Sequence, residues 1–311
     1  MKRKVTLGSL MFLFWTLVQL CDTIFFKILF CSEMIFLFVF SRIFKKSYNA
    51  NYRYFQDVDS EKICAYLINL DRAGERLNFV LPSIIALGFP VKRISAIDGK
   101  FLSQKEIESV TDVESYKKFF KMLPEVGTIG CSLSHEKAWL AFLESDNEFA
   151  IIFEDDVQFD PEKLKRTVKS VIEKKDLWDI ASFEIKHRGC PMKICSLDQQ
   201  KSLVFYLTNV THAGCYLINR RAAEELLKKF YPIKMPVDHY FSSTWEFDLK
   251  FVGIEPRMVF QKFGDSYIKN SSCTNVRTPI TLAVNVIYQI QRAILYFIYN
   301  FLCLYFNKRN M

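Results

Sequence analysis

Three carboxylates stand side by side at Glu154-Asp155-Asp156, directly after the apolar run Phe149 to Phe153. Like charges a few ångströms apart raise one another's pKa and call for compensation. A divalent cation supplies it, and hard oxygen donors suit magnesium or manganese; the alternative is a solvated strand-to-loop turn. Polar groups follow or precede other apolar runs in a similar way. Asn69, Arg72 and Arg76 come at and after Ile63 to Leu70, Asp98 comes after Val91 to Ile97, and His212 comes just before Ala213 to Asn219. Asp238 and His239 follow Pro236 in a polar loop, and His135 ends the stretch Cys131-Ser132-Leu133-Ser134-His135. The nine cysteines contain no C-x-x-C pair, so neither a zinc site nor a disulfide scaffold is indicated.

The elements that must position these groups alternate. Ile63 to Leu70 reads as a strand, the stretch to Leu87 as a helix stopped by Gly88-Phe89-Pro90, and Val91 to Ile97 as a second strand closed by Asp98-Gly99. Ser134 suits the cap of a helix running to about Glu144, with Phe149 to Phe153 a buried strand after it. Trp178 to Phe183 and Ala213 to Asn219 resemble further strands, Arg221 to Phe230 a helix, and Asp238 opens another helical stretch. Alternation of this kind predicts an α/β fold, a parallel sheet with crossover helices whose ligand loops lie at the carboxyl ends of the strands.

The chain has 311 residues, 50% of them hydrophobic and 24% charged, enough for one large or two small packed domains. Ten Gly and nine Pro exclude collagen-like and low-complexity classes. The net charge of +8 is concentrated at the two ends: residues 1–46 carry +5, residues 262–311 carry +5, and the middle carries −2. Basic residues beside apolar runs argue for anionic lipid rather than nucleic acid. Val5 to Phe40 is almost continuously apolar between Lys2-Arg3-Lys4 and Arg42, Lys45 and Lys46, which reads as membrane attachment. Positive residues at both edges favour a re-entering hairpin or an interfacial helix pair with the domain in the cytoplasm; a single span would place the domain on the far side. Ile280 to Phe306 carries only Arg292 as a charge and reads as a span, an interfacial helix or a helix packed on the domain.

Taken together, Ile68-Asn69-Leu70-Asp71-Arg72 with Glu75-Arg76, Ala96-Ile97-Asp98-Gly99, Gly127 to His135 and Glu154-Asp155-Asp156-Val157 resemble glycosyltransferase family 25. That group holds bacterial lipooligosaccharide galactosyltransferases and collagen galactosyltransferases. Gly214 to Ile218 and Pro236-Val237-Asp238 fit the same pattern, whereas the stretch after Gln261 only loosely matches the family's Ser-Asp-Ile element. The resemblance implies a GT-A-like fold, a mostly parallel central sheet flanked by helices, over residues 61–270. Membrane-associating helices would stand at both ends, over 1–50 and 279–311. It further implies an inverting transfer of a hexose, most often galactose, from a UDP-sugar with Mn2+ or Mg2+.

The chemistry that follows assigns roles to residues. Glu154 and Asp156 would hold the cation that bridges the diphosphate, with Asp155 on ribose or sugar hydroxyls. Asp238 would be the general base, with His239 its rival and Asp248 a weaker one. Asn69, Arg72 and Arg76 would meet nucleotide phosphate or base, the alternative being a surface ion pair with Glu75. Asp98 would accept a bond from ribose or uracil, or else serve only its turn. His135 would contact donor or metal or hold the loop at Gly130, and His212 would line the sugar pocket. The implied partners are a nucleotide sugar, a lipid-linked or lipooligosaccharide acceptor and membrane lipids, at the cytoplasmic face of a bacterial inner membrane. A collagen-type enzyme in a secretory lumen and an inactive sugar-binding module are the alternatives.

Overall fold

An apolar run forms the first strand. In the computed structural model, which describes residues 62–120, 123–186, 189–262 and 279–309, β1 (Ile63–Asn69) is buried along its whole length. It is followed by α1 (Gly74–Ile85), β2 (Val91–Ser95), α2 (Gln104–Val110), α3 (Val113–Phe120), α4 (Val126–Leu143), β3 (Phe149–Glu154), β4 (Val157–Gln158) and α5 (Pro161–Ile172). The second half adds β5 (Ile180–Ser182), β6 (Pro191–Ser196), β7 (Ser202–Tyr206), β8 (Cys215–Asn219), α6 (Arg220–Lys228), α7 (Val237–Phe241), α8 (Thr244–Phe247), β9 (Phe251–Glu255), β10 (Phe260–Gln261) and α9 (Pro279–Arg309).

Eight strands form one sheet in the order β2-β1-β3-β8-β5-β9-β7-β6. β2, β1 and β3 pair in parallel, as the strand and helix alternation predicts. β8 then runs antiparallel to both β3 and β5, and β7 runs antiparallel to β9 and β6. The sheet is thus mixed, although six of its eight strands point one way. The hairpin β6–β7 has no counterpart in the sequence reading, and its short connection allows only antiparallel pairing.

Alternating side chains divide the core in two. Tyr66, Ile152, Tyr216 and Ile218 face α4, α6 and α7, while Ala65, Ile151, Phe153 and Leu217 face α1 and α5. Glu154 has the parity of Ile152 and so comes out on the α4 side.

Two expectations are corrected. The first is that α4 starts at Val126, so Ser134 lies inside the helix rather than at its cap. Its hydroxyl donates to the Gly130 carbonyl (2.6 Å) and accepts the Ile97 N–H (2.8 Å), tying the helix to the loop after β2. The glycines that suggested a loop serve close approach: a Cβ on Gly130 would sit 2.6 Å from the Ile97 carbonyl oxygen, and one on Gly99 would sit 1.8 Å from that of Val126.

The second correction concerns the C-terminal apolar stretch. α9 packs along one side on the domain: buried Arg292 donates to Glu246 (3.1 Å) and to the Ser243 hydroxyl and lies 5.0 Å from the centre of the Trp245 ring. Tyr299 donates to Asp248 (3.1 Å), and Tyr296, Asn300 and Leu304 are buried. Among the described residues no helix is long and apolar enough to cross a membrane. The N-terminal apolar stretch and the Ser-Asp-Ile-like region lie outside the described residues.

Candidate functional site

A cavity of about 450 Å3 opens at the carboxyl ends of β1, β2 and β3. Asn69, Arg72, Arg76, Asp98, His135, Glu154, Asp155 and Asp156 all line it, so eight of the residues singled out in the sequence meet at one place. On the β1–β2 side the charges are paired. Arg72 donates to Asp98 (2.5 Å), and this bond holds the Asp98 carboxyl below the usual carboxylate range. Asp98 also accepts the Lys100 N–H (3.2 Å), capping the 3-10 turn Gly99–Phe101. Buried Asn69 donates to Asp155 (2.8 Å) and accepts from Arg93 (3.0 Å), while Arg76 donates to the other Asp155 oxygen (3.1 Å). Asp155 is therefore gripped from two sides, with Asn69 and Arg76 acting on it directly.

On the α4 side carboxylates gather with few cations between them. Asp156 stands 3.7 Å from Arg76, yet its Oδ1 is buried with no hydrogen-bond partner. Burial, then the charge of Glu154, pushes its carboxyl up to about 7. Glu184, two residues past β5 and 1% exposed, is pushed up to about 8 by burial and by the charges of Glu154 and Asp156. Its Oε2 is likewise buried without a hydrogen-bond partner. Glu154 differs: burial raises it, but the bond from His135 and the Arg76 guanidinium hold it below the usual range.

His212 and Asp238 stand outside the lining of that cavity but within the same electrostatic neighbourhood. The His212 backbone N–H donates to Asp238 Oδ2 (3.1 Å) from a left-handed conformation (φ 94°), and its ring Nδ1 lies 3.5 Å from Glu184. Burial lowers the His212 pKa from its ordinary value, against the charges of Asp238 and Glu154. Asp238 sits in the first turn of α7 beyond Pro236. The Cys131 thiol, raised by burial and by Glu154, Asp238 and Asp156, marks where these carboxylates converge.

Orphaned oxygens on Asp156 and Glu184, amid carboxylates that raise one another, fit a divalent cation held by hard donors. The ligand atoms of Cys131, His135 and Glu154 also lie within 4.8 Å of one another. Sulfur is a soft donor, a poorer match than carboxylate oxygen for a hard cation such as magnesium or manganese. The sequence reading missed Glu184 and Tyr216. A carboxylate just past an apolar strand, the signal that singled out Glu154, also stands at Glu184, but as a single residue rather than a triplet.

Residues 62–241 match the sequence model of glycosyltransferase family 25 (LPS biosynthesis protein). A "Glycosyltransferase 25 family member" of Aedes aegypti is 32% identical over 186 residues, 56% of this chain and 30% of that one. "Procollagen galactosyltransferase 1" of Danio rerio is 25% identical over 234 residues, 68% of this chain and 39% of that one. The chain thus spans about a third of the length of these relatives. Among solved structures, S. aureus TarS 1–349 covers 65% of this chain and 60% of its own at 14% identity, with a TM-score of 0.39, too distant to carry an argument.

Proposed function

The chain belongs to glycosyltransferase family 25, and on that premise we propose that it moves a hexose, galactose first among the candidates, from a UDP-sugar to a glycan acceptor with help from a divalent cation. The single observation that carries this reading is the carboxylate rim, where Glu154 and Asp156 meet paired Arg76 and Asp155 at the mouth of one cavity. Leaving diphosphate gathers negative charge as the anomeric bond breaks, and catalysis needs positive charge placed there beforehand. A cation held by Glu154 and Asp156 would supply it as a Lewis acid. Arg76 neutralises Asp155 and part of Asp156, which keeps the acidic rim from repelling an anionic donor. Arg72 and Asp98 form the opposite wall, where the nucleoside fits.

Asp238 is the proposed base: its Oδ2 is fixed by the His212 N–H, leaving the other oxygen for the acceptor hydroxyl's proton. Inversion follows if that hydroxyl attacks opposite the diphosphate. The acceptor we propose is a lipid-linked or lipooligosaccharide glycan at the cytoplasmic face of a bacterial inner membrane. The basic, apolar stretch 1–46 and the family's description support it. A protein acceptor of the collagen type is the second reading, favoured by the procollagen galactosyltransferase relatives.

Nucleotide release from UDP-, GDP- and CMP-sugars by the detergent-solubilised chain, with manganese or chelator, tests the reading. Manganese-dependent turnover of one UDP-sugar is expected. Release from none of the donors would leave a sugar-binding module without turnover.

A further inference from the structure

Behind Glu154 runs a chain of hydrogen bonds in which every side chain except the last is fully buried. The Trp139 indole N–H donates to the Tyr216 hydroxyl oxygen (2.9 Å), Tyr216 lies 2.8 Å from His135 Nδ1, and His135 Nε2 lies 3.1 Å from Glu154 Oε1. Trp139, Tyr216 and His135 are each 0% exposed. His135 and Trp139 stand one turn apart on α4, and Tyr216 comes from β8 opposite Ile152 of β3, so a helix and two strands meet in this chain.

The donor inventory of these groups fixes where each hydrogen points. An indole N–H can only donate, so one lone pair of the Tyr216 oxygen is spent on Trp139. The buried Tyr216 hydrogen needs an acceptor, and Nδ1 of His135 is the one within reach. Nδ1 then carries no hydrogen, the neutral ring places its hydrogen on Nε2, and Nε2 donates to the Glu154 carboxylate. The opposite tautomer would aim a bare Nε2 lone pair at a carboxylate and leave the tyrosine hydrogen unpaired. A buried bond left unmade in that way is destabilising.

We propose that Trp139 and Tyr216 lock His135 as the Nε2–H tautomer, and that this tautomer orients Glu154 as a cation ligand. Tyr216 and Trp139 are thus positioning residues that never touch a substrate, and His135 acts through Glu154 rather than on the donor. Orientation of a ligating carboxylate by a buried donor behind it is worth roughly 10–100-fold in metal affinity where it has been removed. The Glu154 bond also distinguishes this carboxylate from Asp156 and Glu184, each of which has a buried oxygen without a hydrogen bond. The inference rests on the cation reading for its consequence but not for its first step, the tautomer, which holds with or without metal.

The test uses the full chain labelled with 15N-histidine, the His135 signals being assigned by their loss in His135→Gln. In the metal-free parent, the two ring nitrogens should report a neutral Nε2–H tautomer. In Tyr216→Phe, which removes one oxygen and little volume, that single tautomer should give way to a mixture. Manganese affinity, read from the free-ion electron paramagnetic resonance signal, should fall about tenfold. His135→Gln, whose amide can still donate to Glu154, should retain more manganese affinity than His135→Leu. A parent already in the Nδ1–H form overturns the proposal, as does a folded Tyr216→Phe chain that keeps both tautomer and manganese affinity. Should Tyr216→Phe fail to fold, the tautomer of the parent and the manganese affinities of His135→Gln and His135→Leu carry the test, equal affinities in the two variants overturning the proposal. A parent that shows the tautomer and binds manganese but turns over no nucleotide sugar would count against the proposed activity and in favour of the relay.

Discussion

Carboxylates stand on both sides of the cavity and are left in opposite electrostatic states. Toward β1 and β2, carboxylates are matched: Asp98 with Arg72, Asp155 with Asn69 and Arg76. Toward α4, Glu154, Asp156, Glu184 and Asp238 share a neighbourhood in which two buried oxygens have no hydrogen bond. A matched wall is complete before any ligand arrives and can serve as a template. An unmatched wall stores electrostatic cost that a cation relieves. On the proposed reading, the cation would bind on one side of the cavity and the nucleoside on the other.

The comparison breaks most decisively at Asp156. Asp156→Ala should lower nucleotide-sugar turnover by at least about 10²-fold, measured as nucleotide release at saturating manganese; turnover within threefold of the parent would place the cation elsewhere. Arg76 joins the two walls, and Arg76→Met strands Asp155 and Asp156 in a buried site. Loss of one partner of a buried pair costs about 3 kcal/mol, so the melting temperature should drop by roughly 6–12 °C. An unchanged melting curve would show that the matched wall does not depend on this arginine.

A smaller effect separates the walls by pH. Glu184, raised to about 8, and Asp156, raised to about 7, hold protons in the folded metal-free chain that the unfolded chain releases near pH 4. Their contribution to stability is present below that pH and is lost as pH rises toward 8. Glu184→Gln removes one of the two, so in chelator its melting temperature should gain on the parent as pH rises from about 5 to about 8.5. A gap independent of pH would mean that Glu184 is not under this strain. The smallest effect belongs to the matched wall's outer pair: Arg72 is 37% exposed in its side chain, so Arg72→Ala should change stability by less than about 1 kcal/mol while weakening UDP binding. Calorimetric titration of UDP checks the second part.

Much of this arrangement can be read from the sequence because it is local. Apolar runs ending in polar residues mark β1, β2, β3 and β8, and the Glu154 triplet marks the rim. What stays hidden depends on long-range packing. Gly127 and Gly130 read as a loop, although Gly130 lies inside α4 because the Ile97 backbone needs the space. Arg292 reads as a lone charge in a membrane-like helix, although Ser243, Trp245 and Glu246 surround it. Glu184 feels the charges of Glu154 and Asp156 only through the sheet, where β8 alone stands between β3 and β5. Asn69 lines the cavity, yet its amide is used on Asp155 and Arg93 within the chain.

The central claim is that cation and diphosphate bind together at the unmatched wall, and UDP binding measured with and without manganese tests it most directly. Linked binding predicts that manganese tightens UDP at least about tenfold in the parent and that Asp156→Ala abolishes this gain. Equal UDP affinity in manganese and in chelator would contradict the account, since the carboxylates would then hold no cation against the diphosphate.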